Sequence, residues 1–169
     1  FETVAFCEIE PYCRAVLKKH WPHVPCYDDV RTITADRLAA DGITVDVICG
    51  GFPCQPFSVA GKQRGKDDNR YLWPEMLRVI REARPAWIIG ENVAGIVNLA
   101  LDTVCADLEA EGYEVEPIII PACAVGAPHR RDRVWIVAHT DRQGEHNGAE
   151  HAEVGGASQP LADSGGERD

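Results

Sequence analysis

A cysteine that an apolar strand delivers into a loop with a constrained backbone is a chemical signal, and residues 50–65 carry one. The run is Gly50-Gly51-Phe52-Pro53-Cys54-Gln55-Pro56-Phe57-Ser58-Val59-Ala60-Gly61-Lys62-Gln63-Arg64-Gly65. Its glycines and prolines force a defined path. The nearby bases Lys62, Arg64, Lys66 and Arg70 can lower the pKa of a thiol and expose a nucleophilic thiolate. For an isolated cysteine the stronger reading would be an inert, buried thiol. Two further groups change the weighing. Gly90-Glu91-Asn92-Val93 sets a carboxylate and an amide at the end of another apolar strand, where a lone glutamate often only caps the next helix. Pro128-His129-Arg130-Arg131-Asp132-Arg133 gathers three arginines before a further strand, and strand alternation would send Arg131 and Arg133 to one face. Taken alone, that cluster is also readable as a solvated basic turn.

The elements that must position these groups alternate along the chain. Residues 3–7 read as a strand and 11–20 as a helix that opens on Pro11. A second strand at 45–49 leads straight into the Cys54 loop. A helix over 71–83 has apolar positions at Leu72, Met76, Leu77, Val79 and Ile80. It must end near Arg84, because Pro85 disfavours the helical region for the residue before it. A third strand at 86–90 and a helix at 99–110, stopped by Gly112, precede two strands at 114–120 and 133–139. Such alternation predicts an α/β fold with a mostly parallel sheet. Ligands in these folds lie at the carboxyl ends of the strands, where Cys54 and Glu91 fall. After His139 the periodicity stops, and residues 140–169, rich in Gly, Glu, Asp and His, read as a flexible linker. The organisation expected is therefore an α/β domain over 1–139, which the motifs make part of a catalytic domain, and a flexible linker over 140–169.

In order and in residue type, these motifs resemble those of the cytosine-5 DNA methyltransferases, over nearly all of residues 1–139. Pro53-Cys54-Gln55 is similar to the family's catalytic Pro-Cys-Gln, and the match continues through Ser58, Gly61-Lys62-Gln63 and Gly65 of its mobile loop. Glu91-Asn92-Val93 is similar to its Glu-Asn-Val motif. Residues 129–133 resemble Gln-Arg-Arg-Glu-Arg, with His129 for the Gln and Asp132 for the Glu. The resemblance implies a Rossmann-like class I fold that uses S-adenosyl-L-methionine and acts on a base flipped out of double-stranded DNA. It implies that Cys54 attacks C6 of cytosine, while Glu91 holds a proton at N3 and accepts from the exocyclic amine. Asn92 would orient the catalytic loop by hydrogen bonding, and Arg131 and Arg133 would face the base, with Arg133 at O2. Gln55, Ser58, Lys62 and Arg64 would join Arg131 and Arg133 in binding the substrate. On the cofactor side, Glu8 would bind the ribose hydroxyls, Ile9 would lie against the adenine, and Asp29-Val30 would recognise its amino group and ring. Pro53 belongs to both the catalytic and the cofactor-binding set. The family's first strand and its Asp-x-Phe-x-Gly-x-Gly-Gly turn do not occur after Phe1, nor does a target-recognition region. In that fold the first strand sits centrally, between the strands at 3–7 and 45–49. The expectation is that the chain alone is poorly stable and inactive.

Composition bounds the rest. A chain of 169 residues with 45% hydrophobic and 26% charged content has the size and balance of one globular domain. No apolar run approaches the roughly 20 residues that span a bilayer, and no basic-then-apolar leader is seen. The formal charge of −10 argues against a nucleic-acid coat, yet residues 141–169 hold seven acids against two bases, half of that excess. Local basic loops can still contact phosphates. Seven cysteines, at 7, 13, 26, 49, 54, 105 and 123, form no C-x-x-C pair and no zinc spacing. Buried, reduced thiols in a cytoplasmic protein of bacterial or phage origin are expected, with no metal. Two alternatives stay open: a cytosine-5 methyltransferase acting on tRNA, and a non-catalytic, nucleic-acid-binding remnant. A thiol hydrolase would need a histidine base, which the contexts of His129 and His139 do not mark.

Overall fold

Proline fits the first turn of a helix because its missing N–H would be unpaired there anyway, and two helices of this chain begin that way. Helix α1 (Pro11–His20) opens on its proline, and the helix Trp73–Ala83 holds Pro74 in its first turn. The computed structural model describes residues 1–53 and 71–140. Strand β1 (Phe6–Cys7) pairs in parallel with β2 (Cys26–Tyr27) as a two-stranded sheet, followed by α2 (Ala35–Ala40). A four-stranded sheet in the order β3-β4-β6-β5 is built from β3 (Val47–Gly51), β4 (Trp87–Val93), β5 (Glu114–Pro121) and β6 (Asp132–His139). Between them lie α3 (Trp73–Ala83) and α4 (Leu101–Ala110).

The helix at 11–20 has the expected bounds, whereas several other ends move. The first strand shrinks to two residues because β2 offers it only two partners. The strand expected at 45–49 runs to Gly51, and that at 86–90 extends through Glu91 and Asn92 to Val93. Helix α3 stops at Arg84, which takes a left-handed backbone (φ 48°) and donates its N–H to the Ile80 carbonyl at 2.8 Å. Strands β3 and β4 are parallel, but β6 runs antiparallel to both β4 and β5, so the sheet is mixed. The link from β5 to β6 contains only a short 3-10 turn, Ala122–Val125, which is too short for a helical crossover. Strands β1 and β3 belong to separate sheets. The expectation of buried thiols is corrected: Cys7, Cys13, Cys49 and Cys123 are exposed, and Cys26 and Cys105 are half-buried, all as free cysteines. For Cys7 and Cys49 the reason is that β1 lies in a sheet of only two strands and β3 at the edge of the four-stranded one. The linker segment 141–169 lies outside the described residues, among which no helix is long and apolar enough to cross a membrane.

One face of the larger sheet is sealed by α3 and α4. Ile88, Val134, Ile136 and Ala138 pack there with Leu77, Ile80, Val104 and Leu108. A smaller core of Tyr27, Ile33 and Leu38 reaches Val79 and Ala83 on α3, so that helix serves both cores. Arg78 ties them together. Its guanidinium donates to the carbonyls of Ile33 (2.7 Å) and Val30 (2.9 Å) and is flanked by Glu75 and Glu82 at 2.9 and 2.8 Å. Partial burial opposes its charge, but the hydrogen bonds it donates to Glu82 and Glu75 prevail and raise its pKa. Glu82 is held low mainly by Arg78, then by the N–H of Ala35 at the start of α2. Arg78→Met keeps the aliphatic stem but strands two carbonyls. It is expected to cost about 2 kcal/mol in urea unfolding of the full-length protein, with the 29–33 segment gaining the fastest amide exchange.

Candidate active site

Parallel pairing sets the register of the site. Gly50 lies beside Gly90 and Gly51 beside Glu91, so the strand leading to Cys54 ends level with the Glu-Asn motif. Side chains alternate along β4. Asn92 is directed to the face sealed by the helices, where it is 5% exposed, while Glu91 takes the opposite, half-open face. The Asn92 amide donates from Nδ2 to the Phe52 carbonyl at 2.8 Å, and its Oδ1 accepts from the Val93 N–H at 2.9 Å. Both ends of the amide are satisfied, as its burial demands. On the other face, Glu91 stands opposite Trp135 of antiparallel β6. Arg133 is the diagonal neighbour on the same side, within reach of a long side chain. Its Nε lies 2.7 Å from Glu91 Oε1, with both side chains partly exposed. A charge-assisted contact of this kind orients the carboxylate while leaving it open to a ligand.

Gly51 and Gly90 make room for this arrangement. A Cβ on Gly51 would stand 3.2 Å from Glu91 Oε2, and one on Gly90 would meet Ile136 at 3.4 Å. Pro53 is exposed at the end of the described segment. Cys54, Gln55, Ser58, Lys62 and Arg64 lie outside the described residues. Arg131 departs from the expected alternation. Strand β6 begins only at Asp132, and Arg131 precedes it with a left-handed backbone, φ 35°, in a turn whose carbonyls at Arg130 and Arg131 accept from Ala122 N–H. The turn re-aims Arg131, which is exposed, so Arg133 alone of the two meets Glu91. Arg130 is paired instead with Asp132 at 3.0 Å.

The residues expected to bind the cofactor gather at the carboxyl ends of β1 and β2. Glu8 N–H donates to the Tyr27 carbonyl at 2.9 Å, and Glu8 Oε1 accepts from the Glu10 N–H at 2.8 Å. Ile9 beside it is 62% exposed. Asp29 Oδ1 accepts from the Arg31 N–H at 2.9 Å and Oδ2 lies 3.5 Å from the Arg31 guanidinium. Val30 packs half-buried on the smaller core. The acids share one field: although Cys7 is exposed as a residue, its thiol is pushed up to about 11, first by partial desolvation of the sulfur among its neighbours, then by Cys26, Asp29, Glu8 and Asp28. Carboxylates beside an exposed aliphatic surface suit a ligand with hydroxyl donors and a flat ring. Sequence reasoning did not single out Trp73, buried against Phe52. Its only early signal was an aromatic residue at the start of an amphipathic helix.

The family model for C-5 cytosine-specific DNA methylase matches residues 1–161. Type II methyltransferase M.AquIA of Picosynechococcus sp. is 34% identical over 157 residues, covering 82% of this chain and 63% of its own length. Type II methyltransferase M.NgoMIV of Neisseria gonorrhoeae is 36% identical over 143 residues, covering 82% and 45%. The chain thus spans less than two thirds of these relatives. Among solved structures, the Dnmt2 methyltransferase of S. pombe shares the fold at a TM-score of 0.67 and 23% identity, over 85% of this chain and 45% of that one. With a family match over nearly its whole length, on a fold that aligns the strand ends bearing its motifs, the chain belongs to the C-5 cytosine-specific DNA methylase family.

Proposed function

We propose that this protein transfers a methyl group from S-adenosyl-L-methionine to C5 of cytosine in double-stranded DNA. The observation that carries the reading is the partly exposed Glu91–Arg133 pair at 2.7 Å, level with the strand that runs towards Cys54. In this mechanism the flipped cytosine enters beside Glu91. The Cys54 thiolate forms a bond to C6, and electron density moves into the ring towards C5 and N3. Glu91 stabilises that charge through a proton shared at N3, and Arg133 donates to O2 while holding the Glu91 carboxylate in place. S-adenosylmethionine, when bound, would supply an electrophilic methyl group to C5, the sulfur–methyl bond breaking as the C5–methyl bond forms and S-adenosylhomocysteine leaving. Loss of the C5 proton to a base then restores the double bond, breaks the C6–S bond and returns the thiolate. Glu8 and Asp29 would accept from the ribose hydroxyls and the adenine amine, with Ile9 and Val30 against the ring. Pro53 and Asn92 hold the approach to Cys54, and Gln55, Ser58, Lys62, Arg64 and Arg131 contact the nucleic acid.

The reading is tested by trapping. Full-length protein, S-adenosylmethionine and a mixed pool of 5-fluorocytosine duplexes should give an adduct that survives denaturation, because fluorine at C5 blocks the final elimination. Cys54→Ala should give none while retaining DNA binding. An adduct on RNA alone would transfer the activity to RNA, and methylation that persists in Cys54→Ala would sink the mechanism. A second test concerns space. Gly51→Ala should displace the Glu91 carboxylate and lower kcat about tenfold, with Glu91→Gln lower by about a hundredfold. DNA affinity should change little in both, and a Gly51→Ala enzyme with wild-type kcat would rule out the spatial constraint.

A further inference from the structure

Phe52 directly follows the end of β3 and Trp73 is the first residue of α3, and these two residues meet. Their ring centroids are 5.0 Å apart at an interplanar angle of 47°, and both are buried, at 5% and 2% exposure. Trp73 carries one polar atom into this core, and its Nε1–H donates to Asp107 Oδ2 at 2.8 Å. An indole is asymmetric, so a partner at one edge selects one of its packed orientations. Asp107 lies on α4 between Val104 and Leu108, both at 0% exposure against the sheet. The acceptor is therefore anchored to the rigid core.

Phe52 is held from two sides. Trp73 fixes its ring, and Asn92 fixes its carbonyl at 2.8 Å. Pro53 restricts its own φ, and Cys54 is the next residue in the chain. We infer that Asp107 is a positioning residue for the nucleophile, acting through Trp73 and Phe52, an inference that rests on the methyl-transfer reading above. Its role is to accept one hydrogen bond. A neutral acceptor would serve as well as a carboxylate, whereas an apolar side chain of similar size would leave the indole N–H unpaired and free its ring to repack. Small misplacements of a reacting group cost rate far more than binding.

The test uses full-length protein and a duplex that the wild-type enzyme methylates. Asp107→Leu should lower kcat about tenfold and slow adduct formation on 5-fluorocytosine DNA equally, with KM and S-adenosylmethionine affinity within about twofold. Asp107→Asn, whose Oδ1 still accepts, should restore the rate. Trp73→Phe keeps a ring but removes the donor, so it should match Asp107→Leu, and the double variant should be no slower than the slower single one. This variant decides the matter if Asp107→Leu fails to fold. Wild-type kcat in Trp73→Phe, an Asn variant as slow as Leu, or a loss that merely follows the folded fraction would overturn the inference. If wild-type protein yields neither methylated DNA nor adduct, the methyl-transfer reading fails first, and this inference with it.

Discussion

The amide of Asn92, buried at the seam between β3 and β4, bonds to the carbonyl of Phe52 just where β3 ends. A buried amide left unpaired would cost about 1–3 kcal/mol, so this contact binds the end of one strand to a fixed point on its neighbour. The parallel register then follows through the whole motif. Gly51 falls beside Glu91, and the next residues of the chain head for Cys54 from a set position. With Oδ1 engaged by Val93, the Asn92 side chain has one orientation that satisfies both of its ends.

The strand that carries Asn92 also carries Glu91, and consecutive residues of a strand face opposite ways. The chain uses this property to separate two roles. The amide goes inward, where burial makes its hydrogen bonds strong and its position firm. The carboxylate goes outward, where Arg133 steadies it and a ligand can still reach it. A net charge of −10 does not oppose this arrangement, because the arginines act at contact distance while much of the acidic excess lies in residues 141–169.

Helix α3 joins the two halves of the described structure. One side of it seals the larger sheet with Leu77 and Ile80, and another meets the smaller core through Val79 and Ala83. Arg78 adds hydrogen bonds to Val30 and Ile33. Because β1 and β3 are not paired, this helix is a principal link between the acids at Glu8 and Asp29 and the strand ends at Gly51 and Glu91.

Much of this was legible in the residues themselves. The α/β alternation and the helix at 11–20 follow from local patterns, because periodicity, proline and glycine act over a few residues, while the Pro-Cys-Gln, Glu-Asn-Val and arginine motifs were legible through their resemblance to the family's motifs. Strand ends were less legible, since a strand extends only as far as its neighbour pairs with it: β1 is cut short by β2, and β4 is lengthened by β6. The antiparallel return of β6 came from a short connection, and the left-handed turn at Arg131 broke an alternation that local pattern alone would continue. Residue types and order thus determined which groups could do chemistry. Only the tertiary structure decided which of them meet, Arg133 with Glu91, Asn92 with Phe52, Asp107 with Trp73, because each pair joins segments distant in sequence through strand register and helix packing.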